Sequence, residues 1–326
     1  DNVKIINEVL YKSDIKAQKI YTDNYSFMKV QDILSDYHNS RPLIVCELNN
    51  NHFLKTYYTN LLHDHVLLEV KDEISEYDDI LSWSSVYREN NCDCIISFGN
   101  DNIINAAKLI KLFTSIESPD SYLNANTELT NIKHINIPIG INSFSGALPG
   151  TIFIKDGKSV EYSHLGLLAD YIVFEKILFS ELSTEDRIFI TLNALCSAVD
   201  SLWIAHNPSD KLYIGEAITS IINGIAFLAV PNSLVSTNLL GGIYSSVKAS
   251  YIHGNTSAYS IGAKFAEYSG LPKGYGVALS SIFFWNHYGE NLNQTSKDIG
   301  RKQVAATWKL IKSLFKVQTN RDFMEL

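Results

Sequence analysis

The chain of 326 residues is sparing with cysteine, methionine, proline and basic side chains: 4 Cys, 2 Met, 7 Pro and 27 Lys plus Arg. Four cysteines in so long a chain are no disulfide framework. Cys92 and Cys94 stand too close for an easy disulfide and lack the two further ligands of a zinc site. Reduced thiols at these two and at Cys46 and Cys196, and a cytoplasmic location, are the expectation. The basic residues are scattered and the formal net charge is −8, so no nucleic-acid footprint is expected. No uncharged apolar run reaches the ~18–20 residues that a membrane helix needs. The nearest, residues 214–231, is interrupted by Glu216 and Asn223 and reads as a buried core helix, so no membrane contact is expected. Residues 1–18 mix charges with isolated apolar positions and do not read as a signal peptide. Neither an internal repeat nor a low-complexity linker is present.

What the chain has is apolar surface to bury. It is 46% hydrophobic and 11% aromatic, which excludes disorder, and its length fits two domains. The first half alternates short β-branched runs with helical patterns. Strands are predicted over 42–48 (PLIVCEL), 65–70 (HVLLEV), 94–98 (CIISF) and 135–139 (INIPI), with helices over 51–62, 77–89 and 103–114. Strand–helix–strand at this spacing predicts a parallel sheet with right-handed crossovers, whose ligands sit beyond the carboxyl ends of the strands. Near Tyr162 the composition shifts to long helical patterns. Ser183 to Asp186 reads as a capped helix start leading into 187–205. Further helices are predicted over 211–228, 234–249, 257–269, 275–287 and 298–314. The expected organisation is an α/β domain over 1–161 and an all-α domain over 162–326, packed with a cleft between them.

Two stretches carry polar turn chemistry. In SFGNDNIINAAK (97–108) a strand ends, a Gly/Asn turn follows and a helix begins. Backbone N–H groups at such a helix start suit a phosphate. Asp101 sets a negative charge there, and the plainer alternative is that Asp101 or Asn102 caps the helix. In IPIGINSFSGALPG (137–150), Gly140, Asn142, Ser143, Ser145 and Gly146 form a small polar loop. It either lines a cofactor's other face or is an ordinary connection. Glu47, at the end of the first clear strand, is either a ribose contact or a solvated acid, the latter preferred. The nine histidines are not spaced as helical metal ligands: His253 and His287 are isolated and His206 falls in a loop.

The order of these stretches resembles the superfamily of iron-containing alcohol dehydrogenases and dehydroquinate synthase. Residues 97–108 resemble its GGGSxxDxAK phosphate loop: Gly99 matches the first glycine and Ala107-Lys108 the closing AK. Asn100, Asp101 and Asn102 replace Gly, Gly and Ser, and Asn105 replaces the Asp. Residues 137–146 resemble the PTTxGTGSE loop, with Pro138 and Ser145 kept. Residues 167–182 resemble the segment ending in a DPEL-like turn. Gly254-Asn255-Thr256 and Pro272-Lys273-Gly274 resemble the GHT and PHG metal-ligand motifs. VKIINEVLY and ADYIVFEKIL are similar to the branch that oxidises 3-deoxy-octulosonate.

The resemblance implies a nucleotide-binding α/β domain, a helical domain, an active site in the cleft between them, and a homodimer formed through the N-terminal domain. It places NAD or NADP against Gly99, Asn100, Asp101, Asn102, Ser143, Ser145 and Lys158. It carries the family's metal-binding Asp onto Asn193 and its three histidines onto Ser197, Asn255 and Lys273, with His253 an alternative to Asn255. Neutral Asn and Ser are poor ligands for Fe²⁺ or Zn²⁺, and Lys⁺ offers no lone pair, so no catalytic metal is expected. Asn193, Ser197, Asn255 and Lys273 become candidate catalytic or substrate-binding groups. The Lys273 ammonium either replaces the metal's charge or fills a dead site; the interval from Gly262 to Lys273 is a few residues longer than in metal-dependent relatives.

Three functions follow. The first is a metal-free NAD(P)-dependent oxidoreductase acting on a polyol, sugar acid or cyclitol-like small molecule. The second is a non-catalytic relative that serves as a ligand sensor or as a partner subunit of a catalytic pathway enzyme. The third is a metal-free lyase or cyclase.

Overall fold

The computed structural model describes residues 18–23, 25–36, 41–47, 64–116, 118, 129, 131–139, 144–180, 182–225, 228, 235–291 and 301–325. The helix predicted over 51–62 lies outside them. The first compact unit runs to Phe179 and the second begins at Ser180.

In the first unit six strands form a parallel sheet: β1 (Lys19–Tyr21), β2 (Pro42–Glu47), β3 (Val66–Val70), β4 (Cys94–Gly99), β5 (Lys133–Pro138) and β8 (Tyr171–Val173). Their order is β1-β8-β5-β4-β2-β3. Burial on both faces explains the continuous apolar runs of β2 and β4. Ile44, Ile96 and Ile135 face Val30 and Ile33 of α1 (Met28–Ser35). Leu43, Val45 and Ile95 face Ile103, Ala106 and Ile110 of α3 (Asp101–Ser115) and Tyr87 of α2 (Tyr77–Glu89). Period-two alternation along the strands thus divides one apolar sequence between two helical layers.

A separate antiparallel ribbon, β6 (Gly150–Lys155) and β7 (Lys158–Ser163), packs Phe153 against Phe113 and Tyr77 at ring distances of 5.8 and 6.3 Å. This ribbon, β1 and β8 went unpredicted. The expected boundary at 161/162 falls inside β7. The composition does shift there, but β8, three residues long, still joins the main sheet beside β5.

From Ser180 onward the described elements are helical: α5 (Thr184–Ile204), α6 (Pro208–Asn223), α7 (Thr237–His253), α8 (Ser257–Ser269), α9 (Lys273–Glu290), α10 (Arg301–Leu314) and α11 (Asn320–Met324), preceded by the short α4 (Lys176–Ser180) at the junction of the units. Ser183 caps α5 as its sequence predicts, its Oγ accepting from the Asp186 N–H at 3.1 Å. The helix expected over 211–228 instead starts at Pro208, behind an Asn207 cap, and stops at Gly224. Among the described residues, α5 and not 214–231 is the helix long and apolar enough to cross a membrane, and 78% of its apolar window is buried inside the protein. It is the core of this unit, where Trp203 stacks on Trp308 at 5.9 Å. All four cysteines are buried.

Candidate functional site

Each unit brings one group of predicted site residues together. In the first unit the group lies where β4 ends. Gly99 closes the strand, and a Cβ there would lie 2.6 Å from the Ile103 side chain, so only glycine lets α3 start this close to the sheet. Asn100 is extended (φ −80°, ψ −173°) and is the cap. Its Oδ1 accepts from the N–H groups of Asn102 and Ile103 at 3.0 and 3.4 Å. The cap is therefore Asn100 and neither of the expected Asp101 and Asn102, and α3 begins at Asp101 rather than near Ile103.

Asp101 Oδ1 accepts from the Ser145 N–H at 2.7 Å, which ties the helix start to the polar loop after β5. Asn102 Nδ2 donates to Asp72 at 2.8 Å. Lys108, fully buried, donates to the carbonyls of Ser145, Leu148 and Gly150. The "AK" of the loop motif is thus an internal staple. Two N–H groups that would meet a phosphate already have a side-chain acceptor, and a carboxylate occupies the first turn. These residues do not fit a pyrophosphate.

Ser143, Gly140 and Asn142 lie outside the described residues. Ser145 is 9% exposed and opens a 3₁₀ turn. Lys158 is not brought to this group. It is exposed at the turn of the β6–β7 ribbon, paired in register with Lys155. Glu47 ends β2, half-buried.

In the second unit α5 presents Asn193, Ser197 and Asp200 at i, i+4 and i+7, along one face. Asn193 Oδ1 accepts from the Tyr259 hydroxyl at 2.9 Å. The Lys273 ammonium, on the first residue of α9, lies 5.3 Å from the centre of the Tyr259 ring, in cation–π range. Tyr259 thus joins two of the four residues carried over as metal positions. Ser197 is buried, and its carbonyl accepts from Ser201 Oγ at 2.9 Å. Asn255 turns to its own neighbourhood, its Nδ2 donating to Ser250 Oγ at 2.7 Å. His253 lies 3.6 Å from Asp210 of α6, and burial lowers its pKa despite that carboxylate.

The centre of this unit is Asp200, fully buried. Its carboxylate accepts from the N–H and the hydroxyl of Thr256, the cap of α8, and from Trp285 Nε1 at 3.2 Å. Burial raises the Asp200 pKa, and the bonds from Thr256 and Trp285 oppose the rise. Burial also pushes the neighbouring Cys196 thiol up to about 12, so no thiolate nucleophile is offered. Tyr259, Asp200, Thr256 and Trp285 were missed in the sequence. Helical spacing held the signal for one of them, since Asp200 falls seven residues after Asn193 on α5.

A metal does not fit these positions. Asn, Ser, Asn and Lys provide no anionic or imidazole ligand, and the one nearby carboxylate already holds three donors. Among the described residues no group of three or more His, Cys, Asp or Glu side chains could hold a metal ion. What remains is an uncharged hydrogen-bonding pair, Asn193 and Tyr259, with one ammonium beside it.

The sequence matches no protein-family model and no curated protein. Solved structures do match its architecture. An iron-containing alcohol dehydrogenase from Corynebacterium glutamicum superposes with a TM-score of 0.73 over 98% of this chain and 82% of its own, at 14% identity. The chain has the fold of the iron-containing alcohol dehydrogenases. A maleylacetate reductase from Agrobacterium tumefaciens gives 0.72 over 98% of this chain and 85% of its own, again at 14% identity. A sulfoacetaldehyde reductase from Bifidobacterium kashiwanohense, solved in complex with NAD⁺, gives 0.65 over 95% of this chain and 86% of its own, also at 14%. The fold is the one to which the eroded motifs pointed, and the three structures named here are a dehydrogenase and two reductases. At this identity the likeness carries the fold alone. The dehydrogenase fold is here built around an asparagine-capped α3 and a Tyr259-centred polar cluster.

Proposed function

We propose that this protein keeps an oxidoreductase fold without dinucleotide-dependent hydride transfer, and works as a metal-independent, non-catalytic relative. It would sense a small polar ligand or serve as a partner subunit of a catalytic enzyme. One observation carries the reading: Asn100 fills the N-terminus of α3 with its own side chain while Asp101 sets a carboxylate in the first turn. The second unit supports it, since the positions carried over from a metal site hold a neutral pair and an ammonium. The chemistry left there would recognise a hydroxyl- or carboxylate-bearing small molecule. Tyr259 and Asn193 exchange hydrogen bonds with hydroxyls, and Lys273 attracts an anion.

The same cluster favours one rival. In a metal-independent NAD(P)-dependent oxidoreductase, with a polyol, sugar acid or cyclitol as substrate, Lys273 would supply positive charge beside a reacting carbonyl and Tyr259 a hydroxyl. The known structures named above include an NAD⁺ complex, which is its other support. Titration with NADH and NADPH by fluorescence, with and without EDTA, separates the two. No saturable binding of either nucleotide at about millimolar concentration is the expected result. Saturable binding indifferent to EDTA overturns the non-catalytic reading, and loss of binding with EDTA overturns metal independence.

A further inference from the structure

A trough of about 800 Å³ runs between α6 and α10, within the second unit. Small-molecule sites have volumes of about 300–1,000 Å³. None of its lining residues belongs to the cluster around Tyr259 and Asp200. The two helices run side by side in the same direction. Gln303, in the first turn of α10, bonds His206 just before α6, and one turn further on Thr307 bonds Lys211. Beyond that point Leu212 and Gly215 of α6 and Leu310 and Leu314 of α10 line the walls. Spacings of three and four residues put each set in one helix row.

The head of the trough is cationic. Lys211 is half-buried, and among the described residues its ammonium has one partner, the Thr307 hydroxyl at 2.8 Å. Burial lowers its pKa, and no described carboxylate opposes that. The second donor at this end is His206. Gln303 Nε2 donates to the Ala205 carbonyl at 3.3 Å, which marks it as the amide nitrogen. His206 Nδ1, 3.0 Å from the same nitrogen, is then the acceptor, and the ring proton sits on Nε2.

The body of the trough is apolar. Leu310 and Leu314 are half-buried and Leu212 is 67% exposed. Gly215 is the floor. It is buried, yet a Cβ there would meet no atom within 4 Å, so packing does not require a glycine. Gly242 of α7 differs: its Cβ would lie 3.0 Å from the Ala217 carbonyl oxygen on α6. Glycine inside a helix is destabilising relative to alanine. At Gly215 its missing side chain leaves the floor open between the leucines. Glu216 also lines the trough, with an exposed carboxylate.

We propose that this trough binds a small monocarboxylate with an aliphatic body, its carboxylate on Lys211 and His206 and its chain over Gly215 between the leucines. A carboxylate accepts from an ammonium and from an imidazole N–H, and it is the charge partner that no described residue supplies. Covering Leu212, Leu310 and Leu314 adds the apolar contribution. Lys211 disfavours a cationic amphiphile, and Glu216 a second carboxylate on the same ligand. The inference does not depend on what the polar cluster binds.

Calorimetric titration of the full chain with decanoate tests it. The expected result is saturable binding of one decanoate per chain, about tenfold tighter than decanol or decanedioate, and none of decylamine. Lys211→Met should weaken decanoate about 10–30-fold and leave decanol unchanged. Gly215→Leu, whose side chain enters open space, should weaken decanoate and decanol alike by more than about tenfold, with an unchanged circular dichroism spectrum and no fall in thermal midpoint. A wild-type chain without saturable decanoate binding overturns the proposal. Decanoate binding that survives Gly215→Leu overturns it by placing the ligand elsewhere. Affinity indifferent to Lys211→Met, or decylamine bound as tightly as decanoate, overturns it equally.

Discussion

Two helix starts in this molecule invite a ligand, and both are filled from within, but by opposite means. At α3 the filling is local: Asn100 turns onto the N–H groups two and three residues ahead. At α8 a remote group is added: the Thr256 hydroxyl accepts locally from the Ala258 N–H, and Thr256 is itself held by Asp200, 56 residues earlier in the chain. A local cap is a short-range device that one substitution undoes at small cost. A remote carboxylate, buried and holding three donors, joins two helices, and its loss is felt across the unit. The first unit thus closes its site with turn chemistry and the second with tertiary structure.

The strongest test of that contrast goes through Lys108, which adds to the remote Asp101–Ser145 tie at the α3 start three bonds to carbonyls further along the chain. Lys108→Met removes the donor of three carbonyls, one buried and two part-buried, and should cost about 4 kcal/mol, read as a shift in the denaturant midpoint. A loss below about 1 kcal/mol would show that the first unit does not rely on remote polar ties.

Next comes Lys248 in the second unit, 4% exposed, whose ammonium burial lowers from the ordinary 10.5 to about 7. Between those values the unfolded chain holds more protons than the folded one, so stability rises with pH. The contribution is complete above 10.5 and is lost as pH falls through about 7. The rise should be on the order of 3 kcal/mol, and Lys248→Met should abolish it. An unchanged slope in that variant would assign the rise to other groups.

Asp200→Ala should cost about 3 kcal/mol by leaving the Thr256 and Trp285 donors unpaired. Asn100→Ala should cost about 1 kcal/mol. Equal losses at Asp200 and Asn100, measured by urea unfolding, would erase the distinction between the two helix starts.

The same contrast explains what the sequence disclosed. Four strands of the main sheet were legible because PLIVCE and CIISF are buried on both faces and read as unbroken apolar runs. The cap of α5 and the bounds of α8 were legible because capping is a matter of neighbouring residues. β1 and β8 were not, since a three-residue strand owes its state to the strand beside it. At the candidate sites the motif order named Asn193 and Lys273 as positions, but Tyr259, which contacts both, belongs to no motif. Nothing in the sequence sets Asp200 apart from the other helix acids; the fold buries it. Lys158 was carried over from the resemblance, and the ribbon turn takes it elsewhere.

α8 and α9 cross at Gly262 and Gly276, where a Cβ on either would lie 2.6 or 2.5 Å from the other's carbonyl oxygen. With no side chain between the helices at that point, α8 and α9 have no cushion through which one can slide past the other. Tyr259 rides on α8 and Lys273 on α9, so the ring and the cation above it travel as fixtures on one lever. A push on the outer face of the hairpin would reach the polar cluster as a tilt of both groups together, their spacing preserved.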